Sequence, residues 1–232
     1  MRFGSVAGAA ERVLIVCTGP SMTPDLLPAV RAAQAAGVYV IAVNAGIVAL
    51  PSPTAWFTLD PNLRCQAFMH APRRGVRFYA AVPADFGTPA AALPQHRTPP
   101  RAHMIYLERC TGAGPFGARA GLAEDVGAIH TGNSGYGALG LAYHLRPARV
   151  GILGLDATDR PYAIAPGRPA KSLEHLPWLF GTAAPQLRAA GIEVLLGSPS
   201  SRVRCFERTA PEIVLDWLAE ATPGEARTGV AR

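Results

Sequence analysis

One lysine, Lys171, stands among the 22 cationic residues of this 232-residue chain; the others are all arginine. Cysteine is scarce and scattered, at positions 17, 65, 110 and 205, with no C-x-x-C pair. That spacing suggests neither a zinc site nor a disulfide framework, and Cys17 and Cys65 read as small buried hydrophobes. No apolar run reaches the roughly 18 to 20 residues needed to cross a bilayer. The N-terminal stretch lacks an apolar segment followed by a small-residue cleavage site, because its one apolar run reads as a strand. A cytoplasmic location is therefore expected. There is no P-loop lysine, no H-E-x-x-H and no Ser-His-Asp arrangement with a nucleophile elbow. The first strand-to-helix turn, VCTGPSM (16–22), also fails the G-x-G-x-x-G pattern, with Cys17 at the first glycine and Met22 near the third. That argues against a dinucleotide site.

What is present is a globular composition, 49% hydrophobic and 16% charged, with a net charge of +6. The basic balance suits an anionic partner such as a nucleotide or phosphate. There is no dense basic run and no interleaving of arginine with aromatics, so direct nucleic-acid binding is not favoured. Apolar stretches alternate with helical ones. RVLIV at 12–16, VYVIAVN at 38–44, TAWFTLD at 54–60, VRFYAAV at 76–82, HMIYLER at 103–109, ARVGILGLD at 148–156 and IEVLLGS at 192–198 read as strands. Thr23-Pro24-Asp25 reads as a helix start with Thr23 as the capping hydroxyl. Further helices are expected over 134–145, about 172–190 and the final APEIVLDWLAEA. Continuous apolar strands between helices predict an α/β fold, a single doubly wound, Rossmann-like, mostly parallel sheet with helices on both faces. Residues 1–221 are expected to form one such domain, with insertions at about 83–102, 110–133 and 157–171, and 222–232 a disordered tail.

Open parallel sheets bind ligands beyond the carboxyl ends of their strands. Those ends carry Thr18-Gly19-Pro20-Ser21, then Asn44, then Asp60, then Gly132-Asn133-Ser134 before a helix, and finally Asp156. Each has a structural alternative. Ser21 could only satisfy turn backbone, Gly19 could admit a phosphate or only serve the turn, and Asn44 could be a turn former. Asp60, Asn133 and Ser134 could be helix caps, although a helix N-terminus with a hydroxyl is also an anion site. Asp156 ends an apolar strand with no evident helix after it, so its carboxylate is expected to point into the crevice. His175 is a candidate general base or an exposed first-turn histidine. His130 could stand beside Ser134, and Tyr136 and Tyr143 read as packing residues.

In order, CTGPSM, VIAVNAG, TAWFTLDPN, TGNSGYGALGLAYHL, VGILGLDA and GIEVLLGSPSS resemble a family of Rossmann-like proteins, many encoded by phages and prophages. That family is related to Campylobacter-type sialyltransferases and to the archaeal 6-hydroxymethylpterin diphosphokinase MptE. The resemblance spans residues 12 to 205. It implies that Gly19, Pro20 and Ser21 line the nucleotide phosphate, that Asn44 contacts the nucleotide or the leaving group, and that Asn133 and Ser134 hold ribose or phosphate; Thr18, Asp60 and Gly132, at the same strand ends, are expected to join the nucleotide-binding set. It places Asp156 beside the reacting centre, His175 as base and Tyr162 against the leaving group. The sequence departs from the family at Cys17, where glycine is usual, and neither His175 nor Tyr162 sits in a matching local motif.

The expected function is a nucleotide-dependent transferase, foremost a glycosyltransferase using a nucleotide-activated sugar, with no obligatory cofactor or metal and with an acceptor the sequence does not name. One alternative is a pyrophosphokinase using Mg²⁺ held by Asp156 with Asp60 or Asp159. Another is a non-catalytic nucleotide-binding or phage interaction protein. A homo-oligomer is compatible with either.

Overall fold

A computed structural model describes residues 3–61, 68–69, 71–158, 160, 163 and 173–220. Tyr162, Asp159 and the tail at 222–232 lie outside the described residues.

The strands run β1 (Arg12–Val16), β2 (Tyr39–Val43), β3 (Ala55–Thr58), β4 (Arg77–Val82), β5 (Met104–Cys110), β6 (Ala128–His130), β7 (Arg149–Leu153), β8 (Glu193–Gly197) and β9 (Glu207–Arg208). They form one sheet in the order β6-β5-β4-β3-β2-β1-β7-β8-β9, and every adjacent pair is parallel. The expected α/β Rossmann-like fold is therefore what the chain adopts. The chain steps outward from β1 to β6, returns, and lays β7 on the other side of β1. That reversal puts the topological switch point, where open sheets keep their ligands, between the carboxyl ends of β1 and β7.

The helices are α1 (Leu27–Ala35), α2 (Gly46–Ala49), α3 (Ser134–His144), α4 (Leu176–Ala189) and α5 (Pro211–Ala219). Strand side chains alternate between the two faces, and the burial follows. Val13, Ile15, Ile41, Val43 and Phe57 pack under α3 and α4, while Leu14, Val16, Val40 and Leu153 pack under α1 and α5. At the sheet's amino end the buried Arg12 guanidinium donates to the carbonyls of Leu218 (2.8 Å) and Ala36 (2.9 Å). It thereby satisfies orphan carbonyls at the ends of α5 and α1.

Two expectations are corrected. The Thr23 hydroxyl caps nothing: its residue is extended, and a short 3₁₀ turn at Pro24–Leu26 precedes α1. The 110–133 stretch is not a plain insertion, because it contributes β6. Within the 83–102 stretch, Phe86, Ala91 and His96 are buried.

Candidate functional site

At the switch point the polar groups are bonded to one another. Asp156 is 3% exposed, and its carboxylate does not point into open space. Oδ2 accepts from the Ser21 amide and the Ser21 hydroxyl, each at 3.0 Å, and Oδ1 accepts a short bond from the Ser198 hydroxyl. The Asp156 carbonyl accepts from the Arg202 amide at 3.1 Å. One carboxylate thus ties together the ends of β1, β7 and β8, and Ala157 after it is held at a φ of 53°, a conformation costly for a residue with a side chain.

Gly19 serves the same junction. Its amide donates to the Gly154 carbonyl at 2.9 Å, and a Cβ there would collide with that carbonyl and with Asp156 Oδ2. Gly154, at φ 69°, has the Cys17 carbonyl 2.6 Å from where its own Cβ would lie. Glycine at position 19 is therefore demanded by the approach of β1 to β7. Cys17 fills the space against the first turn of α3, its sulfur 3.1 Å from where a Gly135 Cβ would lie. Burial, reinforced by the Asp156 charge, pushes its thiol up to about 12, so it acts as packing and not as a nucleophile. Thr18 and Pro20 are half-buried in the same turn.

A second group lies around the start of α3. Asn133 is the N-cap of that helix, its side-chain oxygen accepting from Gly135 (2.7 Å) and Tyr136 (3.4 Å) amides. Ser134 Oγ donates to Asp60 Oδ2 at 3.3 Å, and Asp60 is exposed. Asn44, at φ 49°, accepts from the Thr58 hydroxyl at 2.7 Å, and its carbonyl accepts from the Trp56 indole, also at 2.7 Å. The sequence also contains a Gly-x-Gly-x-x-Gly string at 135–140. It lies inside α3, where Gly137 lets the helix settle onto the Phe57 ring, 2.8 Å from where its Cβ would lie.

His175 Nε2 stands 3.1 Å from the Gly132 carbonyl. A carbonyl only accepts, so in this contact the ring carries its proton on Nε2, and the neutral ring keeps its lone pair on Nδ1. His175 is thus tied to the residue two positions before Ser134. His130 is instead a loop fastener, its Nδ1 2.8 Å from the Gly121 carbonyl. Tyr136 and Tyr143 are held by the Gly121 carbonyl and Glu124.

The structure therefore brings the sequence-predicted residues into two sets: Gly19, Ser21 and Asp156 in one, and Asp60, Gly132, Asn133, Ser134 and His175 in the other. Four further residues belong here. Ser198 completes the Asp156 network. Arg109, at the end of β5, donates to the Leu59 carbonyl at 3.1 Å, and its buried Nε has no partner among the described residues. The Phe116 ring packs against His175, with centroids 5.1 Å apart, and Trp178 stands three positions further along α4. A polar residue ending a strand could have flagged Ser198 and Arg109; nothing in the sequence pattern flags Phe116.

Comparison with solved structures finds the same architecture in the MAf glycosyltransferase from Magnetospirillum magneticum AMB-1. The TM-score is 0.59 at 12% sequence identity, over 90% of this chain and 35% of that one. The chain thus spans about a third of that enzyme's length, and at this identity the likeness speaks for the fold alone. No protein-family model and no curated protein matches the sequence. Among the described residues no helix is long and apolar enough to cross a membrane, and no cluster of three His, Cys, Asp or Glu side chains is placed to hold a metal ion.

Proposed function

We propose that this chain is a nucleotide-dependent transferase of glycosyltransferase type, taking a nucleotide-activated sugar as donor. The observation that carries the reading is the Gly132–Ser134 stretch. Within three residues at the carboxyl edge of a parallel sheet, it joins a histidine with an available ring nitrogen to the N-terminus of an 11-residue helix. The fold shared with a glycosyltransferase supports the same reading.

In this mechanism the acceptor hydroxyl gives its proton to His175 Nδ1 as its oxygen attacks the anomeric carbon. The bond from that carbon to the nucleotide phosphate breaks, and the negative charge moves onto the departing phosphate. The positive end of the α3 dipole stabilises that charge, and the Ser134 hydroxyl does so by turning its proton from Asp60 Oδ2 to a phosphate oxygen. The Gly132 carbonyl fixes the tautomer and the angle of the base. Thr18 to Ser21 belong to the closed β1–β7 junction beside this site, where Asp156 holds Ser21 and Ser198 and serves the fold rather than the nucleotide. Tyr162 is assigned to the leaving group by the family resemblance alone.

A thermal-shift panel of CMP, CDP, UDP, GDP and ATP, with and without Mg²⁺, tests this. A nucleotide at about 100 times its Kd adds roughly 2.7 kcal/mol of stability. Stabilisation by a nucleoside mono- or diphosphate without metal is the expected result. A shift confined to ATP with Mg²⁺ favours the pyrophosphokinase instead, although both Asp156 oxygens are already occupied by hydrogen bonds. No shift with any nucleotide overturns both enzyme readings.

A further inference from the structure

The 110–133 stretch presents an aromatic side chain that the fold does not use. Phe116 is 75% exposed and sits at φ 56°, ψ 28°, left-handed backbone that a bulky residue adopts only when its surroundings force it. Here they do. The Gly112 amide donates to the Gly117 carbonyl and the Gly114 amide to the Ala118 carbonyl, each at 3.0 Å. The Thr131 hydroxyl clamps the same Gly117 carbonyl at 2.6 Å. The neighbours at 114 and 117 are glycines, so a strained phenylalanine is kept where a glycine would fit without strain.

The ring is not idle in its placement. Its centroid lies 5.1 Å from that of His175, the histidine already tied to Gly132. One turn further along α4, Trp178 is 47% exposed, its Cη2 only 3.0 Å from where a Gly114 Cβ would lie. The Gly114–Gly117 loop thus rests on the start of α4 and leaves two aromatic rings open to solvent, Phe116 against the histidine and Trp178 against Gly114. Exposed large apolar groups set together mark a recognition surface. Rigid aromatics provide contact area at low entropic cost, with two χ angles each.

We infer that Phe116, His175 and Trp178 form the acceptor subsite, and that its occupant is a pyranose ring laid with its C–H face against the aromatics. The inference rests on the transferase reading: a base must lie against the hydroxyl it deprotonates, so whatever borders His175 borders the acceptor. A pyranose fits because one face presents a flat array of C–H groups to an aromatic ring while its equatorial hydroxyls stay at the edge, within reach of the imidazole.

Tryptophan fluorescence tests it directly, because Trp56 is fully buried and Trp217 lies across the sheet beneath the Arg149 guanidinium. The probes are the methyl glycosides of glucose, galactose and N-acetylglucosamine, titrated into the full chain in the presence of saturating CMP or UDP. The expected result is a saturable change in emission with at least one glycoside. It should be absent in Trp178→Phe and at least tenfold weaker in Phe116→Gly, which should melt no lower than wild type and keep its nucleotide shift. No saturable response to any glycoside, in protein with an intact nucleotide shift, overturns the inference. So does a response to free cytidine or uridine that Phe116→Gly abolishes, which would make the platform a nucleobase site. A glycoside response in protein that no nucleotide stabilises would instead keep the platform and remove the transferase reading.

Discussion

The two polar sets at the carboxyl edge use the same kinds of residue to opposite ends. Between β1, β7 and β8, Ser21, Asp156 and Ser198 bond to one another, and Gly19 and Gly154 are glycines because backbone presses on backbone. Around α3, the Ser134 hydroxyl and the His175 ring each make one hydrogen bond among the described residues, of 3.3 and 3.1 Å, which leaves a second ring nitrogen and a hydroxyl proton that can turn to a ligand. The first set closes the switch point; the second leaves chemistry open beside it. A serine or aspartate at a strand end therefore signals a ligand only if its bonding capacity is not already taken by the neighbouring strand.

The largest effect is expected at the open set. His175→Ala should lower transfer by about 10² to 10⁴-fold, the usual range for losing a general base, with the melting temperature within about 2 °C of wild type, since among the described residues its ring makes one half-exposed hydrogen bond and one contact with the exposed Phe116 ring. A steady-state assay beside a melt checks both, and full activity in this variant would remove the base from the mechanism. At the closed set, Gly19→Ala forces a methyl group into Asp156 and the Gly154 carbonyl. Overpacking of this kind costs about 3 kcal/mol, roughly 6 to 12 °C in a chain of this size. A denaturant or thermal melt reads it, and an unchanged midpoint would show that the β1–β7 approach is looser than described.

The smallest effect concerns two buried histidines outside both sets. Burial, with Arg109 adding to it, lowers the pKa of His96 from 6.5. Burial likewise lowers His144, whose Nε2 lies 3.0 Å from the Ala128 carbonyl. The folded protein keeps both rings neutral to a lower pH than the unfolded chain does. The unfolded state therefore binds more protons below about pH 6.5, and stability falls as the pH drops. Melts at pH 7.5 and 5.5 should differ by a few degrees, on the order of 1 to 2 kcal/mol, and by less in His144→Gln. An undiminished acid loss in that variant would assign the effect elsewhere.

Most of the sheet is legible in the sequence, because a strand buried on both faces is a continuous apolar run and seven such runs stand out. Strands β6 and β9 do not, at three and two residues, and β6 is hidden in a glycine-rich stretch. The site is legible only in its parts. Thr18 to Ser21 reads identically whether it faces a phosphate or another strand, and what decides is Asp156, 135 residues away from Ser21. The role of Gly19 is set by Gly154, and that of Phe116 by a backbone angle and a neighbour on α4. Local pattern reports where the chain turns; the partners across the sheet determine what the turn does.

Paired melts of Asp156→Asn and Ser134→Ala, each with and without the stabilising nucleotide, test the division most directly. In Asp156→Asn an amide replaces an acceptor facing Ser21 and Ser198, and the free protein should lose about 3 kcal/mol while keeping its nucleotide-induced shift. In Ser134→Ala the free protein should melt within about 2 °C of wild type, and the nucleotide should bind roughly tenfold more weakly, which is about 1.4 kcal/mol. The reverse result, a stable Asp156→Asn protein that no longer responds to nucleotide beside a Ser134→Ala protein that responds in full, would contradict the account.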